Sequence, residues 1–135
     1  MSKISGPLLD RIDIHIELPS IKYKELSDAK DGEASLVIKA GVEKARAIQR
    51  ERFKSDEIFY NAQMNTKLTK KYCALEDEAK ELLKMAMTEL GLSARAYDKI
   101  LKISRTIADL AESGHIKTEH LSEAIQYRSL DRQWW

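Results

Sequence analysis

The chain has 135 residues, 43% of them hydrophobic and 33% charged, which excludes a disordered chain and is enough for one core. Lys+Arg 23 against Asp+Glu 22 leaves a net charge of +1, so any nucleic-acid role must rest on a local patch and not on a global basic field. Cys73 is the single cysteine, which excludes an internal disulfide, and neither a signal peptide nor an apolar run near the ~20 residues of a membrane span is present. The expectation is a soluble, cytoplasmic protein with no membrane contact.

In chain order, Pro7 suits the first turn of a short helix over Pro7-Leu8-Leu9-Asp10-Arg11. The period then changes. Ile12, Ile14, Ile16 and Leu18 alternate with Asp13, His15 and Glu17, a pattern that predicts a strand with one buried face, ended by Pro19. A lone strand cannot satisfy its backbone, so this one implies a sheet that the rest of the chain does not supply. A polar connector, 20–32, leads to a charged helix over 33–54, with Leu36, Val37, Ala40, Ala47 and Ile48 as its apolar side. Gly41 inside that helix has no evident reason. Residues 55–74 are irregular apart from a possible helical turn at 66–72. Leu75, Ala79, Leu82, Leu83, Ala86 and Leu90 form a helical stripe stopped by Gly91. Ser93 is placed to cap the next helix, whose face is Tyr97, Ile100, Leu101, Ser104, Ile107, Ala108 and Ala111. Ser113-Gly114 ends it, and Thr118 is read as the cap of a last helix with Leu121, Ala124 and Ile125 inward. The tail Asp131–Trp135, with its Trp134-Trp135 pair, is expected to be exposed.

Three blocks, SGPLLDRIDIHIELP (5–19), LGLSARAYDKILKISRTIADL (90–110) and HLSEAIQYRSLDR (120–132), resemble in this order the C-terminal end of magnesium-chelatase-like AAA+ ATPases of the ComM/YifB competence type. The resemblance covers nearly the whole chain. It implies a mainly α fold: residues 1–20 as the last strand of an ATPase core sheet, and residues 21–135 as a small helical bundle, the lid that closes over the nucleotide. It also implies a homo-hexamer, ATP and Mg2+ as cofactors of the whole protein, the protein's own AAA+ core and neighbouring subunits as partners, and remodelling of DNA. The chain itself holds no G-x-x-x-x-G-K-[ST] loop and no strand ending in paired magnesium carboxylates, so no cofactor is expected on it alone. The rival reading is a stand-alone helical module that binds DNA or a protein.

Four cations are candidates for the nucleotide. Arg11 stands where the family resemblance implies an arginine finger, whose planar permanent charge suits a transferring phosphoryl group; the residues alone favour a local pair with Asp10 or Asp13. Arg95 lies two residues past the Ser93 cap, where a cation opposes the helix dipole unless an anion joins it. The resemblance implies a sensor-2 arginine there, against the plain reading of a surface charge. Lys99 and Lys102 continue its stripe. A second stripe, Lys39, Arg46, Arg50 and Lys54, is a nucleic-acid candidate, weakened by the interleaved Glu43 and Glu51 and by the lack of an aromatic to stack on bases. His15, His115 and His120 have no zinc spacing, so no metal site is expected.

Overall fold

The computed structural model describes residues 4–28 and 30–128; the Trp134-Trp135 tail lies outside them. Among the described residues there are seven α-helices, one 3-10 turn and no sheet. Helix α1 (Gly6–Arg11) has Pro7 in its first turn, with Ser5 Oγ accepting from the Leu8 N–H. Helix α2 (Tyr23–Ser27) is a short exposed turn. The long α3 (Ser35–Arg52) is followed by the 3-10 turn Asn61–Gln63 and by α4 (Thr66–Tyr72). Helix α5 (Asp77–Leu90) ends at Gly91, whose φ of 59° is the left-handed conformation that glycine adopts without strain. Helix α6 (Ala94–Leu110) opens on the Ser93 cap, its Oγ accepting from the Ala96 N–H at 3.1 Å. In α7 (Thr118–Gln126) the cap is Lys117, one residue before the Thr118 expected from sequence. There the Lys117 N–H is satisfied by His120 Nδ1 at 3.0 Å, so the threonine is not needed as a cap.

Helix α6 is the axis of the bundle. It packs on α7, α3, α4 and the 3-10 turn, while α7 also packs on α5. Its buried Ile100, Leu101 and Ala108 join Phe53, Met64, Cys73, Ala79, Leu83, Ile116, Leu121 and Ala124 in one core. The partly buried Tyr72 meets Phe53 edge-to-face at 5.4 Å, and the fully buried Phe53 contributes about 1.5–3 kcal/mol. Tyr97 and Ala111, expected on this face, are exposed; Ala96 and Arg105 take the buried positions instead.

Two expectations change. Residues 12–18 form no strand: His15 is buried against the bundle, while Ile12, Ile14, Ile16 and Leu18, expected to meet a sheet that the chain does not supply, are 40%, 45%, 66% and 85% exposed. Alternation points the isoleucines one way and His15 the other, and the bundle meets the His15 side. One main-chain bond, His15 N–H to the Tyr127 carbonyl at 2.8 Å, replaces the ladder of a sheet. On α3, Leu36 and Val37 are exposed, as are Ala40 and Ala47. The covered positions are Ala45 and Gln49. Hydrophobicity misreports this face because the side turned to α6 carries Gln49 and Arg52, whose polar groups are bonded inside.

Candidate functional site

An open groove of about 1170 Å³ lies between the N-terminal segment and one flank of α6. Its floor and walls include Ile14, Ile16, Ile103, Ile107 and Leu110, and its charged lining includes Arg11, Arg95, Lys99 and Lys102. The fold therefore brings all four candidate nucleotide cations to one cleft, although Arg11 is over eighty positions from the others in sequence.

A set of polar contacts fixes the geometry. The Asp10 carboxylate accepts from the Ser93 hydroxyl at 2.8 Å, lies 3.7 Å from Arg128 Nη2 and 4.0 Å from Arg95 Nε. It is the anion that relieves the conflict of a cation in the first turn of α6. Lys99 Nζ donates to the Arg11 carbonyl at 2.9 Å and pairs with Asp13. Arg128, wholly buried, donates to the Ile12 carbonyl and reaches the Asp13 carbonyl at 3.5 Å. His15 Nε2 bonds the Leu9 carbonyl at 3.1 Å. With Asp10 and Asp13 engaged elsewhere, the Arg11 guanidinium is exposed and pairs with no carboxylate among the described residues. The local ion pair weighed against its finger role is not formed. Arg95 keeps a half-exposed side chain, and Lys102 is held by Asp98 at 2.9 Å along the helix.

The second stripe lies elsewhere. Lys39 is near Glu43 at 3.9 Å, Lys54 pairs with Glu51 at 2.5 Å, Arg46 lies over the Tyr60 ring at 5.9 Å, and Arg50 lines a small pocket beside Phe53. The glutamates that interleave the stripe thus neutralise two of its four members, and none of the four lines the groove.

Sequence reading missed a charged centre in the core. Asp109, 1% exposed, receives both Arg52 nitrogens, at 2.5 and 2.8 Å, as well as Asn61 Nδ2 at 2.9 Å, and Arg105 Nε lies 3.3 Å away. Arg105 also donates to the Ser113 and Gly114 carbonyls, tying the end of α6 to the loop that follows. Burial lowers the Arg105 pKa although Asp109 opposes it. The one available signal was spacing: Arg105 and Asp109 fall four and eight positions after the buried Leu101, on the covered side of the helix. No group of three or more metal-ligating residues occurs among those described, and none of the described helices is long and apolar enough to cross a membrane.

Residues 32–128 match the family described as magnesium chelatase, subunit ChlI C-terminal. Over 98% of its length the chain is 43% identical to the competence protein ComM of Haemophilus influenzae and 38% identical to the uncharacterized protein YifB of Escherichia coli. A more distant relative, the uncharacterized protein Rv2897c of Mycobacterium tuberculosis, is 27% identical over 95% of the chain. The chain spans only about a quarter of the length of these curated relatives (25% for ComM, 26% for YifB). This chain therefore belongs to the magnesium chelatase ChlI C-terminal family, as the C-terminal domain of a magnesium-chelatase-like protein of the ComM/YifB kind.

Proposed function

We propose that this chain is the lid segment of a ring-forming AAA+ ATPase, most simply a homo-hexamer, that couples ATP binding and hydrolysis to remodelling of DNA during uptake or recombination. The observation that carries the reading is the convergence of Arg11, Arg95, Lys99 and Lys102 on one groove, with Arg11 exposed and its guanidinium paired with no carboxylate among the described residues. In this reading ATP with Mg2+ binds on the ATPase core, which the 135 residues do not include. Arg95 contacts phosphate from the lid, with Lys99 and Lys102 adding positive potential beside it. Arg11 reaches the γ-phosphate held by the neighbouring subunit, where an arginine finger stabilises charge spread over the phosphoryl oxygens. The exposed Ile12, Ile14, Ile16 and Leu18 side is then the face that the core sheet covers. The name of the Haemophilus relative, a competence protein, supports the DNA part of the reading. The work is placed in the cytoplasm.

Reading the coding sequence upstream of residue 1 is the first test. A phosphate loop in frame supports the proposal, and a natural start at Met1 with no such loop favours a stand-alone binding module. In a polypeptide that carries the loop, Arg11→Ala should retain nucleotide binding and lose about 10³-fold or more in turnover. Mixing with subunits that have an intact Arg11 but a dead loop should restore part of it. Arg95→Ala should weaken the coupling between binding and hydrolysis. Parental turnover by both variants would return both arginines to plain surface charge.

A further inference from the structure

The two ends of Arg11 are held very differently. Its guanidinium pairs with no carboxylate among the described residues, whereas its backbone is tied to α6 on both sides. On one side Asp10 bonds the Ser93 hydroxyl at 2.8 Å and faces Arg95 Nε at 4.0 Å and Arg128 Nη2 at 3.7 Å. On the other, Lys99 Nζ holds the Arg11 carbonyl at 2.9 Å and pairs with Asp13. Ser93 caps α6 and Arg95 stands in its first turn, so Asp10 is bonded at the same point of the lid where the proposed nucleotide-sensing arginine acts. A movement of α6 carries Ser93 with it, then Asp10, then the adjoining Arg11.

We infer that Asp10 is a positioning residue: its carboxylate links the start of α6 to Arg11, so that the finger offered to a neighbouring subunit follows the lid position of its own. This inference rests on the reading of Arg11 and Arg95 given above. Asp10 touches no nucleotide in this scheme and acts only through Arg11. Its side chain is 26% exposed; its pair with the half-exposed Arg95 contributes little to stability, whereas its approach to the wholly buried Arg128 contributes more. The expected signature is therefore a loss of turnover that persists in a variant which keeps the carboxylate beside Arg128.

The test uses the polypeptide that carries this chain together with its phosphate loop, and compares Asp10→Ala, Asp10→Glu, Ser93→Ala, Ser93→Asp, Arg11→Ala and the Asp10→Ala/Arg11→Ala pair by steady-state ATP turnover and thermal unfolding. Asp10→Ala should lower kcat by roughly tenfold to a hundredfold, as misplacement of a catalytic group does, with KM for ATP little changed and the unfolding midpoint lowered by the loss of the anion near the buried Arg128. Asp10→Glu should restore part of the loss. The paired variant should be no slower than Arg11→Ala alone, because the two residues act in one line. If Asp10→Ala does not fold, Ser93→Ala and Ser93→Asp decide: both remove the hydrogen bond donated to Asp10 and leave the Asp10 charge, and the aspartate keeps an oxygen to cap α6, so a kcat lowered in both reports the lost link and not the lost cap. Parental kcat in a decisive variant beside an inactive Arg11→Ala overturns this inference and leaves the proposed function standing. Losses that multiply in the paired variant overturn it too. Parental kcat in Arg11→Ala overturns the proposed function, and this inference falls with it.

Discussion

Asp109 has the most exacting environment of any side chain described. It neutralises the buried Arg105 and the partly buried Arg52 and accepts from Asn61, so replacing it by alanine strands both arginines without their anion. Removing one partner of a buried pair costs about 3–5 kcal/mol, and Asp109→Ala should lose stability of that order in urea unfolding; a loss within about 1 kcal/mol would show that the network is inert. Cys73 supplies a pH test. Burial pushes its thiol up to about 11 from an ordinary 9.0, with Arg105 and Arg52 pulling the other way. The raised value means that the folded chain holds this proton more tightly than the unfolded one. The contribution is therefore complete below the unfolded value and is lost as pH rises from 9.0 towards about 11. The native chain should lose about 2–3 kcal/mol more stability than Cys73→Ala across that window, at 1.36 kcal/mol per unit. Equal losses in the two proteins would refute the burial argument.

At the scale of elements, the extended segment after α1 is held at separate points and not by a ladder. The His15 N–H is bonded to the Tyr127 carbonyl, while the N–H groups of Ile14 and Ile16 have no main-chain partner among the described residues. Amide exchange should show His15 protected and Ile14 and Ile16 fast. Protection of all three at high dilution would mean that the chain pairs with a strand it was not seen to have. In α3, Gly41 is half-buried and a Cβ added there would meet nothing within 4 Å. Nothing in the structure explains a glycine at this place. Gly41→Ala should stabilise the chain by roughly 0.5–1 kcal/mol, read as a shift of the urea midpoint, because helical glycine costs more backbone entropy than alanine.

For the whole molecule, the 135 residues hold the groove and its cations but no phosphate loop and no pair of magnesium carboxylates. Phosphoryl transfer depends on positioning and charge, and half of the parts are missing here. The purified chain should show no magnesium-dependent ATP turnover, and turnover that survives a contamination control would contradict the reading. What the sequence determined by itself was local and periodic. The α5 stripe, the Ser93 cap, the Gly91 stop and most of the α6 face follow from spacing and capping chemistry, which act within a few residues. The tertiary structure decided what depends on partners far along the chain. It turned Ile12, Ile14 and Ile16 outward, because the bundle offers a carbonyl and a pocket for His15 and no strand edge for the isoleucines. It buried Arg105 and partly covered Arg52, because Asp109 pairs with both and the Ser113 and Gly114 carbonyls accept from Arg105. And it set Arg11 beside Arg95, because one carboxylate, Asp10, reaches the cap of a helix that begins more than eighty residues later.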